Sequence, residues 1–385
     1  MTPMELETLV NRTNIEPRPY QARIVSKVVA MLEGRYTNGL GNLEPAARSA
    51  MIESPTGSGK TVMGLLTAKL LQERHGVRVG WVAMRRNLLT QTAAENIEQG
   101  INVEPIEFVS MFDKTPATNI DLLIVDEAQH DAASSMAFLH NRIRPRWILG
   151  LTATPFRADR VKLCFDKVIK DAGIHQLIQD GYLAKYHHFT IPAFDVETVA
   201  DFYLREPERW GKTIVFFRKL AECHEFAQRL EEQGASCETV TGSSDREAQL
   251  SRFRDGKTNV LVNCMVLTEG FDCPDLQTVF CRDSAKGPTM QMCGRAFRKH
   301  PDVPFKQVIQ SKLTRYPFTK MATAQEQHLW QEDEWRTLTV NPMINIANSR
   351  ARMAIANTDV EIPLYIRRRS VGFPNHWTAE TLPIN

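Results

Sequence analysis

Short apolar runs alternate with stretches of helical period along most of this chain, and that alternation predicts a parallel α/β architecture. In the first half, strands are expected near 49–53, 79–83, 105–109, 121–125 and 147–151, with helices such as Thr61–Arg74 and Arg86–Glu98 between them. A second series begins at Thr213-Ile214-Val215-Phe216-Phe217 and continues through Cys237–Val240, Val260–Cys264 and Thr278–Cys281. Runs that are apolar on both faces suit strands covered by helices on two sides. Between the two series, residues 182–211 hold Pro192 and Pro207 and show little periodicity over 193–205, so they read as a linker. The expected division is a first domain over 1–182, a linker over 183–211, a second domain over 212–318 and a small C-terminal extension over 319–385. A last strand is expected at Val308-Ile309-Gln310, whereas 321–336 look polar and helical. The Gly-, Asn- and Pro-rich stretch 34–47 reads as a surface loop.

The most informative segment joins the first expected strand to the first long helix. Ser54-Pro55-Thr56-Gly57-Ser58-Gly59-Lys60-Thr61 has the make-up of a loop that wraps a nucleotide's phosphates, with Ser54 where the strict pattern has Gly. Small residues at Thr56, Gly57, Ser58 and Gly59 let backbone N–H groups close on the phosphates. Lys60 can reach the β and γ oxygens, and the Thr61 hydroxyl can ligate Mg²⁺. The run Leu122-Leu123-Ile124-Val125 then ends in Asp126-Glu127-Ala128-Gln129-His130. A strand tip carrying Asp then Glu supplies what hydrolysis needs beside such a loop: Asp126 for Mg²⁺ through its water shell, Glu127 to polarise the attacking water. The loop pattern does not recur in the second half, so the two units are expected to share one nucleotide.

Composition adds bounds. Apolar residues make up 43% and charged residues 24%, ordinary for a globular protein, and 385 residues suffice for two cores. A net charge of +2 makes any nucleic-acid surface a local patch. No run approaches a membrane span, and the N-terminal stretch has no signal-peptide pattern. Cysteines 164, 223, 237, 264, 273, 281 and 293 include no CxxC pair, which points to reduced thiols in a cytoplasm-like compartment and to no zinc site. The adjacent pair His187-His188 points to opposite faces of any strand, so a structural role is expected for both. Trp330, Trp335 and Trp377 are expected to pack a small C-terminal element. Arg367–Arg369 reads equally as a nucleic-acid patch or an exposed charge run.

In the second unit, Thr268-Glu269-Gly270-Phe271-Asp272 follows a strand, and Gln291-Met292-Cys293-Gly294-Arg295-Ala296-Phe297-Arg298 sets Gln291, Arg295 and Arg298 on one helical face. Arginines on a separate lobe are suited to neutralise charge on a transferred γ-phosphoryl. Together with Arg18-Pro19-Tyr20-Gln21 and Thr152-Ala153-Thr154-Pro155-Phe156, these motifs resemble, in order and rough spacing, those of the superfamily 2 helicases and translocases. The likeness covers about residues 15–300 and is strongest to the branch of RadD-like proteins and type I and III restriction motor subunits. The last motif opens with Gln291 rather than the His of DEAD-box RNA helicases, and has Met292 where many relatives carry Arg.

The resemblance implies two tandem RecA-like parallel-sheet domains with an ATP site in the cleft between them. It implies that Gln21 recognises adenine with Arg18 and Tyr20 nearby, and that Gly270 and Asp272 approach the nucleotide. Thr152 and Thr154 would link hydrolysis to movement, and His130 and Gln291 would bridge the lobes. Arg85, Arg86, Ser110, Thr241, Gly242 and Thr268 would hold a nucleic-acid backbone without reading sequence. The expected activity is ATP- and Mg²⁺-dependent movement along nucleic acid, DNA before RNA. Alternatives are a motor subunit dependent on a partner protein, an RNA helicase, an ATP-switched clamp, and a small-molecule kinase. Oligomeric state, polarity and strand separation are open at this level.

Overall fold

The computed structural model describes residues 3–130, 134–154, 165–268 and 271–338. The chain divides into two compact units, 1–335 and 336–385. Its strands are β1 (Ser49–Glu53), β2 (Val79–Ala83), β3 (Ile106–Ser110), β4 (Leu122–Asp126), β5 (Trp147–Thr152), β6 (Lys167–Lys170), β7 (Lys185–Ile191), β8 (Thr213–Phe216), β9 (Cys237–Val240), β10 (Val260–Asn263), β11 (Thr278–Cys281), β12 (Phe305–Ser311), β13 (Glu326–Gln331) and β14 (Glu334–Leu338). The helices are α1 (Pro3–Val10), α2 (Pro19–Leu32), α3 (Lys60–His75), α4 (Arg86–Glu98), α5 (Ser134–Ile143), α6 (Ile174–Gln179), α7 (Val196–Arg205), α8 (Pro207–Trp210), α9 (Leu220–Glu232), α10 (Arg246–Arg254) and α11 (Lys286–Gly294).

Two sheets result. The first has the order β3-β2-β4-β5-β1-β6 and the second β14-β13-β7-β12-β11-β8-β10-β9. Register does the positioning: Glu53 pairs with Thr152 and Asp126 with Leu151, so the ends of β4, β5 and β1 lie side by side. In the second sheet Phe216, Val240, Asn263 and Cys281 end level with one another. Loops that follow parallel strands thus gather along one edge of each sheet, where such folds place ligands.

Helix α3 lies close on the first sheet because Gly64 has no side chain; a Cβ there would sit 2.8 Å from the Trp81 ring. A single apolar cluster runs from the first lobe (Leu66, Leu149) into the second (Tyr186, Phe297), so the lobes pack directly on each other. Among the described residues no helix is long and apolar enough to cross a membrane.

Three expectations are corrected here. The stretch 183–211 is no bare linker. It supplies β7, hydrogen-bonded between β12 and β13, and α7, capped by the Asp195 carboxylate on the Thr198 N–H at 2.8 Å. Val196, Val199, Ala200, Phe202 and Tyr203 form the buried face of α7, a helical spacing diluted in sequence by the acidic residues between them. Residues 321–336 are not helical either: β13 and β14 flank Glu332 and Asp333, both left-handed with φ of 54° and 60°. That is the backbone of a two-residue hairpin turn, but Glu-Asp lacks the usual Asn-Gly signature. The second sheet accordingly continues past 318 into what was expected to be a separate extension. Lastly, α11 ends at Gly294 with Arg295 as its cap, so Gln291, Arg295 and Arg298 do not share one helical face.

Candidate functional site: a cleft between two lobes

The loop between β1 and α3 is shaped by two left-handed glycines, Gly57 (φ 80°) and Gly59 (φ 79°), the latter capping α3. Only glycine adopts that geometry without strain. Ser54, at the position where the strict motif has glycine, donates its hydroxyl to Ser58 Oγ at 2.7 Å and braces the loop. Two further groups converge on the Ser58 carbonyl: the Tyr20 hydroxyl at 2.6 Å and Gln21 Nε2 at 2.8 Å. The other end of the Gln21 amide accepts the Arg18 N–H at 2.9 Å, closing the first turn of α2. Arg18 lies over the ring of Tyr182, 5.3 Å from its centroid, and Tyr20 meets the same ring edge-on. Tyr182 lies in none of the sequence motifs. Its neighbours place it beside the expected base-reading group.

Lys60 donates to the carbonyls of Ser54 and Pro55 at 3.3 and 3.4 Å. Desolvation pulls its pKa below the usual lysine value, against the attraction of Glu127 and Asp126, while Arg295 and Arg298 add to the lowering. One amine therefore feels carboxylates of its own lobe and guanidinium groups of the other. Asp126 Oδ1 accepts the Glu127 N–H at 2.9 Å, and Glu127 itself is left-handed with φ 51°, an uncommon state for a non-glycine residue.

From Glu127 a relay of hydrogen bonds leaves the strand tip. Gln129 Nε2 donates to Glu127 Oε2 at 3.1 Å, and Gln129 Oε1 accepts from the Thr152 hydroxyl at 2.7 Å. Thr152 Oγ1 in turn accepts the Thr154 N–H at 3.0 Å. His130 was expected to bridge the lobes, and its side chain lies outside the described residues, as do Pro155 and Gly270. Gln129 was missed, although it stands next to that histidine in the same motif.

Across the cleft, Arg298 Nη1 pairs with Asp272 Oδ2. Arg295 donates to the carbonyls of Phe271, at 3.2 Å, and Thr268. Lys306, wholly buried in β12, donates to the carbonyls of Pro274 and Leu276 at 2.6 and 2.7 Å and so fixes the chain just after Asp272. Burial lowers its pKa to about 8. The lobes touch here: a Cβ on Gly57 would meet Leu183 at 3.1 Å and Arg298 at 3.6 Å, and one on Gly294 would meet Thr56 at 3.4 Å. Gln291 sits half-exposed on α11 and does not line this cleft.

Together these groups line a cavity of about 910 Å³ that includes Gln21, Lys60, Glu127, Asp272, Arg295 and Arg298. Glu95 of α4 also lines it, a residue that no motif predicted. Burial raises its pKa, opposed by Arg298 and by a hydrogen bond from Thr61, while Asp272 adds to the rise. The Thr61 hydroxyl and the Asp126 carboxylate are hard oxygen donors, and their chemistry fits a magnesium ion.

A second concavity, about 550 Å³, opens between Arg85, Arg86 and Asn87 of the first lobe and Thr241, Gly242, Ser244 and Arg246 of the second. Asn87 Nδ2 bridges it to Glu247 at 3.3 Å. Thr241 Oγ1 accepts the N–H groups of Ser243 and Ser244, a tight turn that presents hydroxyls. Ser110 and Thr268 do not line this groove. Thr268 is 6% exposed and spends its hydroxyl on the Met265 carbonyl. Trp330 and Trp335, both half-buried, pack on each other and on Phe202 at the edge of the second core.

Comparison with known proteins agrees with this two-lobed arrangement. Residues 14–111 match the family "Type III restriction enzyme, res subunit", and residues 195–300 match "Helicase conserved C-terminal domain". A 51.5 kDa protein of a Lactococcus phage is 26% identical over 265 residues, 60% of this chain and 58% of that protein. The putative ATP-dependent helicase IRC3 of Saccharomyces cerevisiae is 25% identical over 228 residues, 49% of this chain and 33% of that protein. The chain thus spans only a third to three fifths of these two relatives. In fold it resembles the ATP-dependent Type ISP restriction-modification enzyme LlaBIII bound to DNA (TM-score 0.56, 16% identity, 79% of this chain and 28% of that one). It likewise resembles S. cerevisiae Dbp5 bound to RNA and ADP BeF3 (TM-score 0.54, 15% identity, 81% and 93%).

Proposed function

We propose that this chain, a superfamily 2 helicase or translocase with restriction-motor relatives, is an ATP-driven translocase acting on DNA. The observation that carries this reading is the meeting of Lys60 and Glu127 of one lobe with Arg295 and Arg298 of the other around a single cavity.

The chemistry follows from the placement. The loop 54–61 would hold the phosphates, and Thr61 and Asp126 would hold Mg²⁺, which would supply charge neutralisation to them. Glu127 takes a proton from the water that attacks the γ-phosphorus, the bond to the β–γ bridging oxygen breaks, and ADP and phosphate leave. Arg298, on its Asp272 tether, meets the charge developing on the transferred group. Arg18, Tyr182 and Gln21 surround the base. Because half the site sits on each lobe, binding draws the lobes together and hydrolysis lets them part. The relay through Gln129 to Thr152 carries the state of Glu127 to the next strand end.

The groove at Arg85, Arg86 and Thr241 also spans both lobes, so each closure shifts one grip on a phosphate backbone relative to the other. Its donors are guanidinium, hydroxyl and backbone groups, which bind without reading sequence. A DNA track is favoured by the restriction-motor resemblance. Six described cysteines are free thiols, in keeping with a cytoplasmic setting.

A second reading, a motor that idles until a partner protein engages it, is favoured by the likeness to a restriction-modification enzyme. Steady-state ATP hydrolysis measured with single-stranded, duplex and forked DNA and with RNA separates the two, with Lys60→Ala as the blank. Stimulation by one polymer supports the translocase and names its track. Hydrolysis indifferent to every polymer overturns it in favour of the partner-dependent motor.

A further inference from the structure

One cluster of side chains lies apart from both the cleft and the groove. His187 of β7 and Glu326 of β13 are register partners, and His328 pairs with Phe189 two residues on, so all three side chains share one face of the second sheet. Glu326 Oε2 stands 3.4 Å from His328 Nε2 and 3.9 Å from His187 Nδ1. The three donor atoms lie within 4.8 Å of one another. The adjacent His188 takes no part: it faces the other way and bonds Gln310 at 3.1 Å.

We propose that His187, Glu326 and His328 form a binding site for a borderline divalent cation, Zn²⁺ foremost, that clips β13 to β7. Two imidazole nitrogens and one carboxylate oxygen are a donor set that suits zinc and its first-row neighbours. Bond lengths near 2.0–2.2 Å in a tetrahedral site give donor-to-donor edges of about 3.3–3.5 Å. One edge already has that length. The 3.9 Å edge between His187 and Glu326 closes by a small turn of the exposed Glu326 side chain, and the edge between the two imidazoles closes by no more than about 1.5 Å through small rotations of the rings.

The geometry suits a shared ion. The carboxylate lies between the two rings at separations beyond the roughly 2.7–3.2 Å of a good N–H···O bond. Both rings are held: His187 lies 4.8 Å from Phe305, and Phe189 stacks on His328 at 4.5 Å with planes 18° apart. Arg209, the nearby cation, is paired with Glu206 at 2.9 Å, which offsets its charge. Glu326 is half-exposed, so solvent can supply a fourth ligand. The bound ion would fasten the strand that carries Trp330 onto the core.

The test uses the full chain, stripped with a chelator and titrated with Co²⁺ and then Zn²⁺. One Co²⁺ per chain with a visible d–d band, displaced by Zn²⁺, is expected, along with a higher melting temperature in Zn²⁺. Glu326→Gln, an exposed change that leaves the fold intact, should weaken binding at least ~10-fold, and His187→Ala/His328→Ala should abolish it. Lys60→Ala should bind the ion as the parent does, which separates this site from the ATP cleft. No stoichiometric ion on the parent chain, or an ion retained by the double variant, overturns the proposal.

Discussion

The Thr152 hydroxyl donates to Gln129 Oε1 at 2.7 Å, tying the end of β5 to the turn after β4. Since Gln129 also holds Glu127, the residue we propose to polarise water is oriented by the strand next door. Gln129→Ala is expected to lower kcat by roughly 10²-fold, the scale of a misplaced catalytic group, and to remove stimulation by nucleic acid. Stopped-flow ATP hydrolysis with and without DNA checks both. An unchanged kcat would show that Glu127 is held by its own backbone alone.

Glu127→Gln keeps the shape of the side chain and removes its basicity. It should bind ATP as the parent does yet hydrolyse it at least ~10²-fold more slowly. Near-normal turnover would assign the water to another group, and Glu95 is one carboxylate on the cavity wall that could take it.

Arg298 and Asp272 are expected to behave as a unit. Arg298→Ala should cost about 10³-fold or more in kcat, and Arg298→Lys should not restore it, because the ammonium lacks the guanidinium's fork. Asp272→Ala should cost less, and the double variant no more than Arg298→Ala alone. Additive losses in that cycle would mean the pair is incidental.

Stability should fall in acid for a reason unrelated to catalysis. His188 is buried, and desolvation lowers its pKa from 6.5 to about 4. The unfolded chain therefore takes up a proton below pH 6.5 that the folded chain refuses until pH 4. Stability present above pH 6.5 is lost as pH falls through that window, by about 3 kcal/mol in all. Urea melts of the parent and of His188→Gln between pH 7 and 4 check this. The variant should show the shallower dependence, and equal slopes would exclude His188 as the source.

Much of the first lobe was legible because its signals are local. An apolar run, a glycine turn and a helix identify β1, the loop and α3, and Asp126-Glu127 closes β4. What escaped depends on partners far along the chain. β7 reads as a strand once β12 and β13 flank it, and α7 hides its apolar stripe among acidic residues. The hairpin after β13 turns on two left-handed acidic residues with no glycine to announce them. Gln129 could have been suspected from its place beside His130, whereas Tyr182 and Glu95 lie outside every motif. The pairing of His187 with His328 is a matter of register between strands more than a hundred residues apart, although Glu326-Gln327-His328 does set two donors on one face.

Tyr20 and Gln21 meet on one carbonyl, that of Ser58. On the proposed reading, whatever a base does to that amide would be transmitted to the curvature of the loop around the phosphates. Discrimination between purines then need not appear as tightness of binding. If Gln21 reads the base as proposed, a guanine nucleotide that turns its amide would sit in the cleft with its γ-phosphorus misaligned, so selectivity would be written in turnover, and the wrong fuel would occupy the site without driving it.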